Sequence, residues 1–165
     1  MKPTEDDLAV IARQLQREPR DVYGISYRCP CGKPAVIETR PRLSDGTPFP
    51  TFYYATCPRL TGAISTLETT GLMADMNNRL ETDPELAGAY AAAHEDYLAA
   101  RAVVAAELEM DVPEIDDVSA GGMPNRVKCL HSLIAHSLST ESGVNPLGDE
   151  ALAKLPKWWE GIPCE

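Results

Sequence analysis

No stretch of this chain approaches the roughly eighteen consecutive apolar residues of a membrane span, and its start, MKPTEDDLAVIARQLQ, lacks the apolar core of a secretory signal. These two absences predict a cytoplasmic protein without membrane insertion. Internal repeats and low-complexity linkers are missing, as is the glycine spacing of Walker or dinucleotide loops. Positive charge is scarce where the chain is longest. Residues 61–165 carry six Lys/Arg against eighteen Asp/Glu, while residues 1–60 carry nine against seven. A net charge of -10 repels phosphate backbones and excludes a broad nucleic-acid surface.

The 165 residues fit one domain, residues 1–165, with enough chain to bury a core without disulfide staples. Thr4 and Asp7 precede an apolar-periodic run and predict a capped helix over about 5–17. The segments 22–29, 34–40 and 49–57 are rich in β-branched and aromatic residues and are separated by Pro/Gly turns, which predicts a three-stranded antiparallel meander. Pro58 opens a helix that Gly71 closes, a short helix follows at 72–81, and Asp83-Pro84 begins a long one to about 109. Residues 110–123 form a loop or ordered lid. A further helix runs from Pro124 or Asn125 to about Ser139, and a last short one precedes the tail KWWEGIPCE. The predicted class is α+β, a small meander (22–57) packed with five or six helices, most of them in 58–165.

In such a meander the end of strand one, the start of strand two and the end of strand three share one edge. Cys29, Cys31 and Cys57 occupy those places, so three sulfurs converge. In a reducing compartment such thiolates need a cation, and zinc or iron takes three or four of them. Zinc is the first choice because histidine is at hand, with an iron-sulfur cluster the alternative. The turn CPCG places one residue between cysteines, where the usual zinc knuckle has two. Cys129 is the preferred fourth ligand and His131 its alternative. In a regular helix these two lie some 200° apart, so joint use would require an irregular first turn at Cys129. Cys57, at a helix N-cap beside Arg59, is the candidate reactive thiol. Cys164 has no evident partner and stands outside the site.

Arg28, Arg59, Arg126 and Lys128 are anion-binding candidates, the last two at the start of a helix behind Gly121-Gly122. His136 shares a face with Cys129 but sits about 10 Å along the axis, and a packing role suits it best. His94 lies off the apolar stripe of the long helix and is expected to be exposed. Trp158 and Trp159 are expected to anchor the tail.

The motifs YRCPCGKPAVIETRPRLSDGTPFPTFYYATCPRL, AHEDYL, AGGMPNRVKCLHSLIAHSL and GVNPLGDEAL resemble an actinobacterial family catalogued as domain of unknown function 501. The resemblance covers nearly the whole chain and implies no activity. Members typically lie near a septum-formation initiator and an exopolyphosphatase-like protein, which implies, by association, a link to cell division or phosphate metabolism. The expected function is a binding or regulatory module built around a structural zinc site, with an unidentified protein partner. The alternative is a metal- or thiol-dependent enzyme acting on an anionic phosphate or carboxylate compound, and a second alternative is an iron-sulfur protein.

Overall fold

The computed structural model describes residues 1–165. Helix α1 (Glu5–Leu15) begins with the expected capping box: Asp7 N–H donates to Thr4 Oγ1, and the Asp7 carboxylate accepts the Thr4 N–H. Strands β1 (Val22–Arg28), β2 (Pro34–Thr39) and β3 (Tyr53–Ala55) follow in the order β1-β2-β3, all antiparallel. Six helices complete an α+β fold with one open sheet. In β2 the consecutive residues Ala35, Val36 and Ile37 are all buried. Neighbouring side chains point to opposite faces, so both faces of the sheet are covered.

Strand β3 is shorter than the expected 49–57. Pro48 and Pro50 offer no N–H to a ladder, and residues 40–52 instead make an excursion in which Phe49 N–H donates to the Pro41 carbonyl. Regular pairing resumes only at Thr39 N–H to Phe52 O and ends with Thr56 N–H to Ala35 O.

Pro58 and Asp83-Pro84 start helices α2 (Pro58–Glu68) and α4 (Pro84–Glu107) as expected, with α3 (Leu72–Thr82) between them. Segment 108–123 folds back over α4, and polar residues of that helix become buried beneath it. Arg101 donates to the carbonyls of Pro50 (2.8 Å) and Ile115 (2.5 Å). His94, expected to be exposed, is buried with its Nδ1 2.7 Å from Ser119 Oγ. The long-range fold-back covers a face that helix periodicity alone assigns to solvent.

Helix α5 (Leu130–Ser139) starts about five residues later than expected. Residues 124–129 are non-helical, so Arg126 and Lys128 are not in a first helical turn. Helix α6 (Pro146–Ala153) packs on α5 through Gly148, where a Cβ would collide with Leu133 O and Ser137 Oγ. Helix α5 in turn lies against all three strands, which connects the sheet to the helical part.

One electrostatic link joins α1 to the strand that carries the first cysteine. Arg28 donates to both carboxylate oxygens of Asp7, at 2.8 and 2.9 Å. This hydrogen-bonded guanidinium holds the Asp7 carboxyl well below the usual carboxylate range, against the opposing effect of burial and with help from Thr4. A depressed folded-state pKa means that the stabilisation is present above the unfolded value near about pH 4 and disappears as pH falls through the folded value. Asp7→Asn is therefore expected to be less stable than the parent at pH 7. The two chains should converge as the medium is taken below about pH 4. Urea unfolding across that range measures the gap, and a gap that ignores pH would rule out this ion pair as its source.

Candidate metal centre

The hairpin between β1 and β2 turns through Cys29-Pro30-Cys31-Gly32. Gly32 N–H donates to Cys29 O (2.8 Å), and Cys29 N–H closes the ladder on Lys33 O (2.9 Å). Gly32 has φ +87, a left-handed conformation that a side chain disfavours. The tight turn leaves Cys29 buried and Cys31 exposed. Cys57 is fully buried as the N-cap of α2, where its Sγ accepts the Leu60 N–H at 3.5 Å.

The sulfur that completes this centre comes from the tail. Cys164 is fully buried, with its Sγ 3.3 Å from that of Cys29 although 135 residues separate them. The ligand atoms of Cys29, Cys31 and Cys164 all lie within 4.8 Å of one another, a group that could hold a metal ion. Cys57 is not one of these three, but its thiol is near enough to help raise the pKa of Cys164. The tail is held in place by neighbouring contacts. Gln14 Nε2 donates to Cys164 O (2.6 Å) and Pro34 O (2.8 Å), Arg59 Nε donates to Trp158 O (2.7 Å), and Glu165 pairs with Arg13 and Lys33.

The donor set suits a thiophilic metal. Sulfurs about 2.3 Å from a tetrahedral zinc stand roughly 3.8 Å from one another; Cys29 and Cys164 are 3.3 Å apart and no pair in the group exceeds 4.8 Å. The sulfurs are far from the distance of about 2.05 Å that defines a disulfide, and all five cysteines are free. Burial pushes the Cys164 thiol far above its ordinary range, with the adjoining Cys29, Cys57 and Cys31 thiols adding to the shift. Cys29 is likewise raised by burial. At Cys31 burial also disfavours the charged form, but hydrogen bonds from Lys33 N–H, Cys29 and Cys164 outweigh it and the pKa is lowered.

Cys164 thus stands where the sequence pointed to Cys129. Cys129 and its stated alternative His131 form a different group with Glu68, whose ligand atoms also lie within 4.8 Å of one another. Cys57 and Glu68 are at opposite ends of the eleven-residue helix α2, roughly 16 Å apart along its axis. Cys129 is the N-cap of α5 with an extended backbone, φ -153 and ψ 118. That irregular start removes the 200° separation and lets Cys129 meet His131. One signal for Cys164 was available: three cysteines at a sheet edge call for a fourth donor, and Cys164 was the remaining cysteine with no secondary structure of its own. Glu68 carried no such signal.

The four anion-binding candidates do not act together. Arg28 is committed to Asp7 and Arg59 to tail carbonyls, of Trp158 and Glu160, while Arg126 and Lys128 are exposed on the loop before α5. His136 is fully buried. Its Nε2 lies 2.8 Å from Asp96 Oδ2 and its Nδ1 3.2 Å from Asn145 Nδ2, and the ring stacks on Tyr53. Burial lowers its pKa, opposed by Asp96, so it serves as a hydrogen-bonded core residue. Trp158 is buried against Trp159, and its Nε1 has no hydrogen-bond partner.

Fold and centre together define an α+β protein with a cysteine group able to hold a metal ion, in which no helix is long and apolar enough to cross a membrane. The chain belongs to the family described as "Protein of unknown function (DUF501)", whose model matches residues 25–153. Cys29, Cys31, Cys57, Cys129, His131 and His136 fall within the matched span, and Cys164 lies beyond it. No curated protein and no solved structure gives a significant match to the chain.

Proposed function

We propose that the protein is a binding or regulatory module whose fold is closed by one structural zinc held by Cys29, Cys31, Cys57 and Cys164. The observation that carries this is the burial of Cys164 among cysteines from two distant segments. Free thiols gathered in this way fit a reducing compartment such as the cytoplasm. The metal would join the tail, the β1–β2 turn and the start of α2, leaving the helical part to meet a protein partner. An association with septum formation rests on the family resemblance alone. The dispersal of Arg28, Arg59, Arg126 and Lys128 argues against an anionic substrate at this centre.

Elemental analysis of protein purified from metal-replete cells is expected to find about one zinc per chain, retained through dialysis. Less than about a tenth of an equivalent would overturn the proposal. Iron in place of zinc, with visible absorbance in anaerobic preparations, would replace it with an iron-sulfur protein.

A further inference from the structure

Away from the sulfur cluster, Cys129, His131 and Glu68 meet beside a groove of about 470 Å³, within the range of small-molecule sites. Cys129, His131 and Ser132 line it from α5 and its cap, Thr61 from α2, and Tyr53 and Tyr54 from β3. Of the five thiols only those of Cys31 and Cys129 are not buried.

The histidine ring has an acceptor at each nitrogen. Nδ1 is 3.1 Å from Glu68 Oε1, and Nε2 is 3.3 Å from the Thr61 carbonyl and 3.4 Å from Ser65 Oγ. A neutral imidazole carries one N–H and would leave one of these acceptors facing a lone pair, whereas an imidazolium satisfies both. Glu68 is itself fixed, because its Oε2 accepts the first backbone N–H of α5, that of Leu130, at 2.8 Å. A protonated His131 beside Cys129, at the N-terminus of a ten-residue helix, favours the thiolate.

We propose that Cys129 is a nucleophile, with His131 as its proton partner and Glu68 positioning that histidine, and that the groove takes an uncharged acyl ester. No Lys, Arg, Asp or Glu is among the groove-lining residues, and Glu68 at its margin disfavours an anion. The thiolate sulfur attacks the ester carbonyl carbon. An S–C bond forms, the C–O bond to the leaving alkoxide breaks, and His131 gives that alkoxide its proton. Neutral His131 then takes a proton from the water that hydrolyses the thioester, which releases the acid and restores the thiolate-imidazolium pair. Two shifts agree with this geometry. Burial disfavours the Cys129 thiolate, but His131 and the Ser132 N–H and hydroxyl outweigh it and lower the pKa. The neighbouring Cys129 thiolate raises His131, against burial and with help from Glu68.

The test treats the full, metal-loaded chain with p-nitrophenyl acetate. The expected result is a burst of about one nitrophenolate per chain, with the acetyl group on Cys129 by peptide mapping. Cys129→Ala and Cys129→Ser should both lose that burst while keeping their metal content and circular dichroism. His131→Gln should slow acylation at pH 7 by about tenfold or more and move its pH midpoint upward, and Glu68→Gln should do the same more weakly. An anionic ester, p-nitrophenyl succinate, should react more slowly than the acetate. Acetylation confined to Cys31, no burst, or a pH profile unmoved in His131→Gln would each overturn the proposal. Zinc content measured on the same samples reports separately on the sulfur cluster.

Discussion

Cys164→Ser is expected to lose its metal on dialysis and to become less stable by about 4 kcal/mol, the stabilisation given by a ligand held at about a thousand times its dissociation constant. The substitution removes one sulfur of the four proposed ligands and leaves the Gln14 to Cys164 backbone contact (2.6 Å) in place, so the loss reports on the side chain. A packing role and a ligand role separate in a cycle with chelator. If Cys164 acts through the metal, stripping the parent chain and substituting Cys164 should cost about the same, and substitution of the stripped chain should add little. If Cys164 merely fills space, the substitution should cost as much without metal as with it. Cys129→Ser is expected to retain its metal, because Cys129 belongs with Glu68 and His131.

The second large effect is expected at Tyr97, which is fully buried at the centre of an aromatic cluster. Its ring stands edge-on to Tyr53 at 5.4 Å and to His136 at 5.2 Å. Its hydroxyl accepts the N–H of Phe52 (2.7 Å) and of Tyr53 (3.2 Å), both where the irregular 40–52 excursion enters β3. Burial raises the phenol to about 12, opposed by those two N–H donors, so it stays neutral at physiological pH. Tyr97→Phe keeps the ring but leaves two buried donors without an acceptor, at about 1–3 kcal/mol each. A total near 3 kcal/mol corresponds to a fall in Tm of roughly 10 °C for a chain of this size. Tyr97→Ala removes the ring as well and should cost about 4–5 kcal/mol. Urea and thermal unfolding measure both. A Tyr97→Phe chain within about 0.5 kcal/mol of the parent would show that neither N–H depends on this oxygen.

Helix starts at Thr4, Pro58 and Asp83-Pro84, the three-stranded order and the β1–β2 turn were all legible in the sequence, because caps, proline positions and alternation act over a few residues. So was the placing of Cys29 and Cys31 together at the β1–β2 turn, whereas the three sulfurs that gather there are those of Cys29, Cys31 and Cys164 rather than the expected Cys57. Arg101 and His94 were not legible as buried residues. What covers them is a segment whose position depends on packing rather than on local pattern. The same limit applies to α5: its 3.6-residue periodicity reads back through Arg126 and Lys128, but close backbone contacts of Gly121 and Gly122 with residues 126–129 hold that stretch in a turn.

By itself, then, the sequence determined the α+β class and the sulfur-bearing edge, through interactions between near neighbours in the chain. Only the tertiary structure decided which residues stand beside that edge. It brought Cys164 across 135 residues to Cys29 and set Cys129 apart with His131 and Glu68. Contacts of that range are fixed by how helices and tail bury their apolar surface together, and no local spacing records the result.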